Sequence, residues 1–209
     1  MLRFEGLCKS FGSREVLRKV GATLATGAHA LRGPNGIGKS TLLRLLAGIG
    51  EIDSGAVWIA GVALHREPAA AKARLAYAPD ECPVYPFMTG RELLAFVAYA
   101  KRCAVPPEVL AIVERFGLAR HLDTRCGAMS LGTQKKLMLA AAWIGDPAVL
   151  LFDEPSNGLD LDARALLIEL LRDKVKTATA LVSTHDHAFA QAIGAQVIEF
   201  ERLREGAAG

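Results

Sequence analysis

Gly33-Pro34-Asn35-Gly36-Ile37-Gly38-Lys39-Ser40-Thr41 is the stretch on which the reading of this chain turns. Its spacing, G-x-x-x-x-G-K-[ST], is the phosphate-loop pattern. Just before it, Ala28 to Leu31 is a short apolar run; just after it, Leu42-Leu43-x-Leu45-Leu46 has helical periodicity. Strand, glycine-rich loop, helix is the setting in which the pattern has a physical meaning. Glycines let the backbone curl so that successive N–H groups and the helix N-terminus face an anion. Lys39 adds a cation toward the β- and γ-phosphate positions, and the Ser40 hydroxyl can ligate Mg²⁺.

Outward from this loop, the first segment alternates short β-like runs with turn residues: Leu2 to Leu7, Val16 to Leu24, and Ala56 to Ile59 between Gly55 and Gly61. These predict a small antiparallel sheet. From about Thr89 to Ala142 strand signals vanish and the pattern is helical, opening at Thr89-Gly90-Arg91-Glu92, whose Thr and Glu have capping-box spacing. Beyond it, Ala148 to Phe152, Thr179 to Ser183 and Gln196 to Phe200 are short apolar runs separated by helical stretches, the signature of βαβ units and a parallel sheet. The expected fold is α/β with a helical insertion, and Glu205 to Gly209 reads as a frayed tail.

The run Ala148-Val149-Leu150-Leu151-Phe152 ends in Asp153-Glu154. A buried parallel strand delivers such carboxylates to its C-terminal edge, where ligands bind in α/β sheets. There Asp153 would hold the Mg²⁺ shell, and Glu154, one residue on, could polarise a water attacking a γ-phosphate.

Composition sets outer limits. The 209 residues suit one domain, or one with an inserted lobe, and the 51% hydrophobic share is far from the signature of disorder. A net charge of +3 with no long basic run gives no nucleic-acid footprint. Cys8, Cys82, Cys103 and Cys126 show neither a zinc nor a disulfide spacing, so a reducing cytoplasm is expected. No apolar stretch reaches the roughly 20 residues of a membrane span. Met1-Leu2-Arg3-Phe4-Glu5 lacks a secretory signal, so the mature protein is expected to begin here.

Ser130-Leu131-Gly132-Thr133-Gln134 precedes the acidic strand and resembles the LSGGQ signature of the ABC ATPase family. With the two motifs above, the resemblance runs from Leu2 to about Phe200. It implies the P-loop ABC ATPase fold: a parallel sheet core, an antiparallel β subdomain and a helical subdomain, roughly 83–142, within a single domain spanning 1–209. It implies ATP and Mg²⁺ as cofactors, and a dimer in which Ser130 and Gly132 contact the γ-phosphate held by the opposite subunit, with Gln134 beside them. His185 in Ser183-Thr184-His185-Asp186 matches the family's switch histidine, and Asp160 in Pro155-Ser156-Asn157-Gly158-Leu159-Asp160 matches its D-loop acid. Phe11 stands where the family stacks an aromatic on adenine, for which a π face suffices. Read without the family, Ser130 is a helix N-cap, Phe11 a core side chain, and His29, His65, His121 and His187 carry no assigned role.

Two positions depart from the family pattern. Ala78-Pro79-Asp80 puts Asp80 at the Q-loop position, to meet Mg²⁺ or water with a shorter, charged side chain, and Thr133 replaces the second signature glycine. Both features resemble the ABC-2 exporter branch. The resemblance implies catalytic roles for Glu154, His185 and Lys39, and a metal shell of Ser40, Asp80 and Asp153. It also implies a separate transmembrane permease docking near Cys82 to Met88, through Tyr85, Phe87 and Met88, so that a homodimer works at the inner face of the cell membrane. The alternatives are a soluble ABC protein acting on nucleic acid or the ribosome, and the ATPase of a haem exporter. No coiled coil, zinc lobe or second ATPase half is visible to favour the former, and the short stretch after the last apolar run leads to the expectation of no regulatory domain.

Overall fold

In the computed structural model the described residues are 1–81 and 84–205. The tail from 206 onward and Cys82 and Pro83 lie outside them. In chain order the elements are β1 (Leu2–Phe11), β2 (Arg14–Leu24), β3 (Gly27–Arg32), α1 (Lys39–Leu46), β4 (Ser54–Ile59), β5 (Val62–Ala63), α2 (Pro68–Ala73), β6 (Leu75–Ala78), α3 (Gly90–Ala100), α4 (Pro107–Arg115), α5 (Leu131–Ala141), β7 (Val149–Asp153), α6 (Leu161–Lys174), β8 (Thr179–Ser183), α7 (His187–Ala192), β9 (Gln196–Glu199) and α8 (Arg202–Glu205). Two sheets form. One has the order β2-β1-β4-β5, the other β6-β7-β8-β3-β9. All pairs in the first are antiparallel and all pairs in the second parallel.

The parallel sheet separates two apolar cores, and alternation along each strand feeds both. On β7, Leu150 and Phe152 point into one core and Val149 and Leu151 into the other. Every residue of β7 and β8 is buried, as a parallel sheet covered on both faces requires. The first core is filled by α3 to α6, with Leu93, Val109, Leu137 and Leu167 among its members. The second joins α1, through Leu42, Leu43, Leu45 and Leu46, to the antiparallel sheet, through Leu2, Phe4 and Leu7. The antiparallel sheet therefore lies against the phosphate-loop helix. No helix among the described residues is long and apolar enough to cross a membrane.

The expected strands are present: β1 to β4 run longer, β7 is shifted by one residue, β8 keeps its expected bounds and β9 stops one residue early, while β5, α2, β6 and α8 are additional. The sequence Leu75-Ala76-Tyr77-Ala78 is short and carries two alanines, so local propensity argues little for a strand. Pairing with β7 makes it one, Leu75 facing Val149 and Ala78 facing Phe152. This strand matters because it delivers Asp80 to the same sheet edge as Asp153.

At the start of α3 the capping box is complete. The Thr89 hydroxyl accepts from the Glu92 amide, and Glu92 Oε2 accepts from the Thr89 amide at 2.8 Å. That backbone bond, reinforced by the Thr89 hydroxyl, holds the Glu92 carboxyl below its ordinary range. A depressed carboxylate adds stability above its unfolded pKa, which is lost as pH falls through the folded value. Glu92→Gln is thus expected to lower the urea midpoint at neutral pH. The gap to the parental chain should close as pH drops below the usual Glu value near 4.3. A gap that persisted in acid would mean that the charge is not its source.

Candidate functional site

The loop after β3 is shaped by backbone conformations only glycine adopts freely. Gly33, Gly36 and Gly38 have φ of 151°, 77° and 118°. At Gly38, which caps α1, a Cβ would also come within 2.9 Å of Val16 Cγ1. Ile37 packs back on Gly33, where a Cβ would meet its Cγ2 at 3.2 Å, so this loop residue anchors the curl. Pro34, Asn35 and Gly36 are exposed.

A cleft of about 650 Å³ opens over this loop, lined by Phe11, Asn35, Gly36, Gly38, Lys39, Ser40, Thr41, Asp80, Asp153, Glu154 and His185. The phosphate loop, the two acids ending β7 and the histidine after β8 therefore meet at the C-terminal edge of the parallel sheet. Phe11, at the end of β1, is 59% exposed rather than core, with Lys9 Nζ 5.4 Å from its ring centroid. Its flat face is open to a base at the rim of the cleft.

Lys39 is only 7% exposed. Its ammonium donates to Gly33 O at 2.7 Å and Pro34 O at 3.2 Å, and lies 3.4 Å from His185 Nε2. An ammonium has no lone pair, so in this contact Nε2 is the acceptor and the imidazole proton sits on Nδ1. In that tautomer Nε2 has no proton for Glu154 Oε1, 3.5 Å away. Glu154 Oε1 is accordingly buried without a hydrogen-bond partner, while Oε2 accepts from the His185 amide at 3.3 Å. Glu154 thus presents a carboxylate oxygen in the cleft, the type of group that serves as a general base.

Asp153 is 4% exposed, and the Ser183 hydroxyl donates to its Oδ1. The two face each other across β7 and β8. Ser40 and Asp153 present hard oxygen donors, one hydroxyl and one carboxylate, a set that fits Mg²⁺ sharing its remaining positions with water and phosphate oxygens. Asp80 lies on the same cleft, but its Oδ1 accepts from Lys135 at 3.0 Å.

Other expected residues lie apart from this cleft. Ser130 caps α5, accepting from the Thr133 amide at 3.2 Å. Gly132 sits beneath the Gly158 carbonyl, 3.3 Å from where a Cβ would be. The Gln134 amide is committed inward, donating to Cys126 O at 2.9 Å and Met129 O at 3.1 Å, which braces the turn before α5. Asp160 caps α6 through the Ala163 amide and pairs with Lys136, whose ammonium holds its carboxyl below the usual range. Ser130 and Asp160 are surface-exposed, as are Leu131 and Leu161 beside them, at 79% and 80%.

Sequence reasoning missed Arg14, Val16, Asn157 and Ser183, which also line the cleft. Ser183 carried a signal, a polar residue closing an otherwise apolar strand; the others depend on chain crossings invisible in one sequence.

A glycine curl at a helix start, a buried lysine inside it and paired acids at the end of another strand of the same parallel sheet define a P-loop nucleotide-binding domain. The family model for ABC transporters matches residues 17–157, and the chain belongs to that family. Nod factor export ATP-binding protein I of Paraburkholderia xenovorans (strain LB400) is 37% identical over 193 residues, 88% of this chain and 62% of its own length. Linearmycin resistance ATP-binding protein LnrL of Bacillus subtilis (strain 168) is 28% identical over 191 residues, 88% and 60%. The chain thus spans about three fifths of the length of these relatives. The solved structure of an ATP binding subunit of an ABC transporter superposes with a TM-score of 0.87 at 28% identity, covering 95% of this chain and 85% of that one. A dimeric ATP-binding cassette in a post-hydrolysis state, bound to ADP and Pi, shares the fold at 21% identity, with a TM-score of 0.83 and coverage of 95% and 94%.

Proposed function

We propose that this chain is a single ABC ATPase domain over residues 1–209, with a helical subdomain at about 83–142, that hydrolyses ATP to power a separate transmembrane permease. The observation that carries the reading is the convergence of Lys39, Ser40, Asp153, Glu154 and His185 on one cleft at the sheet edge. Lys39 exchanges its loop carbonyls for the β- and γ-phosphates. Phe11 stacks on adenine. Glu154 takes a proton from the attacking water, and His185 faces the γ-phosphate once Lys39 has turned away. Mg²⁺, held by Ser40 and Asp153 with Asp80 nearby, neutralises phosphate charge when bound.

Two copies close around two ATP molecules, each lending Ser130 and Gly132 to the other's site. The capped N-terminus of α5 favours an anion there, and the exposed Leu131 and Leu161 supply apolar area flanking Ser130 and Asp160. Export as the direction is supported by a relative named for Nod factor export, and the inner membrane face as the location follows from pairing with a permease. Docking to the permease involves Tyr85, Phe87 and Met88. Tyr85 and Phe87 are 49% and 70% exposed, and Tyr85 stacks edge-on against Phe96 of α3, itself 47% exposed, so a surface aromatic cluster supports this reading. Cys82, at the start of that segment, lies outside the described residues.

Affinity purification of tagged chain from detergent-solubilised cells with ATP and Mg²⁺ tests the reading. A polytopic membrane protein is expected to come with it, and Phe87→Ala should lose that partner while keeping basal ATPase. Recovery of ribosomes or DNA-repair proteins, with the chain absent from membranes, would overturn the transport assignment.

A further inference from the structure

Lys135 lies in the second turn of α5 and is 6% exposed. A lysine is almost never this buried unless its charge is paired. The three N–H groups of its ammonium meet three acceptors: Asp80 Oδ1 at 3.0 Å, Asp80 O at 3.2 Å and Glu154 O at 2.9 Å. These acceptors sit on the two loops that leave the ends of the adjacent strands β6 and β7. One side chain thus joins the helix capped by Ser130 to both acidic loops of the cleft.

Each of those loops needs such a partner. Glu154 has φ of 42°, a left-handed conformation uncommon for any residue other than glycine. Its carbonyl is held from two sides, by Lys135 Nζ and by the Asn157 amide, while its own amide donates to Ser183 O. The direction of its side chain into the cleft follows from that fixed turn. Asp80, for its part, adds a third carboxylate to a cleft already containing Asp153 and Glu154 and shaped for a polyanion. Beside the Lys135 ammonium its charge is neutralised within the protein.

Resting on the ATPase reading above, we propose that Lys135 is a positioning residue for hydrolysis: it sets the Glu154 turn through the backbone and cancels the charge of Asp80. It touches neither nucleotide nor water itself.

The test is steady-state ATPase kinetics and ATP affinity of the full chain with Mg²⁺, for the parent, K135M, D80N and the double variant. Methionine keeps the apolar stem and removes the charge. K135M is expected to lower kcat at least tenfold while the KM and Kd for ATP move less than threefold, and D80N in that background should restore kcat several-fold. If K135M lowers only the melting temperature and leaves kcat intact in the folded protein, Lys135 is a buried anchor and the proposal fails. Simple multiplication of the two single effects would equally overturn the shared-charge argument. Should K135M not fold, K135Q, which keeps N–H donors without the charge, replaces it in the same cycle: rescue of its kcat by D80N supports the pair, and a lowered kcat that D80N does not raise refutes it. A parental chain that binds no ATP would instead sink the functional reading, a result visible before any variant is made.

Discussion

Glu154→Gln is expected to lower kcat for ATP hydrolysis by roughly 10²- to 10⁴-fold, the usual contribution of a positioned general base. The affinity for ATP should remain within a few-fold of the parental chain. Glutamine keeps the length of the side chain and an oxygen able to accept from the His185 amide, so the contact at 3.3 Å survives. What it loses is the capacity of the unpartnered Oε1 to take a proton. Binding should be spared because, in the proposed function, the loop over α1 and the Phe11 face hold the nucleotide. The same variant should accumulate as an ATP-bound dimer, since closure outlasts the failed hydrolysis; size-exclusion chromatography with ATP and Mg²⁺ reads this directly. A kcat equal to that of the parental chain would remove Glu154 from the mechanism, and an unchanged monomer would remove the closure model.

Local patterns carried most of the cleft. The phosphate loop, the acids after Phe152 and the histidine after Ser183 each follow an apolar strand, and every such strand of a parallel sheet ends on the same edge. Their convergence was therefore implied once the sheet was recognised as parallel. Strand order was not implied. β3 lies between β8 and β9, far from its sequence neighbours, and β6 exists as a strand through its pairing with β7 rather than through its own residues. Lys135 was illegible for a related reason. In one sequence, Gln134-Lys135-Lys136 reads as a polar, solvated turn of helix, yet Lys135 is buried among acceptors 55 and 19 residues away, while Lys136 reaches Asp160. Gln134 shows the converse. The resemblance grouped it with the nucleotide contacts, whereas its amide spends both donors on the Cys126 and Met129 carbonyls. Side-chain direction on a helix depends on what packs against it, and that information is long-range.

Lys39→Met should weaken ATP binding by roughly 10- to 100-fold, because one charge-assisted hydrogen bond contributes about 1.5–3 kcal/mol and each 1.4 kcal/mol is a factor of ten. The substitution retains the apolar stem of a side chain that is 7% exposed, so the loop keeps its packing against the second core. The Gly33 and Pro34 carbonyls lose their donor, but Pro34 lies in the exposed part of the loop, where water replaces it. Melting temperature should accordingly shift little. The nucleotide series supplies the sharper discrimination. In the proposed function Lys39 meets the β- and γ-phosphates, so the loss should be large for ATP and absent for AMP, which has neither. Calorimetric titration with ATP, ADP and AMP separates the cases. An equal loss for all three nucleotides would mean that the loop has collapsed, and full ATP affinity in a folded variant would show that the cation inside the curl is not what the phosphates meet.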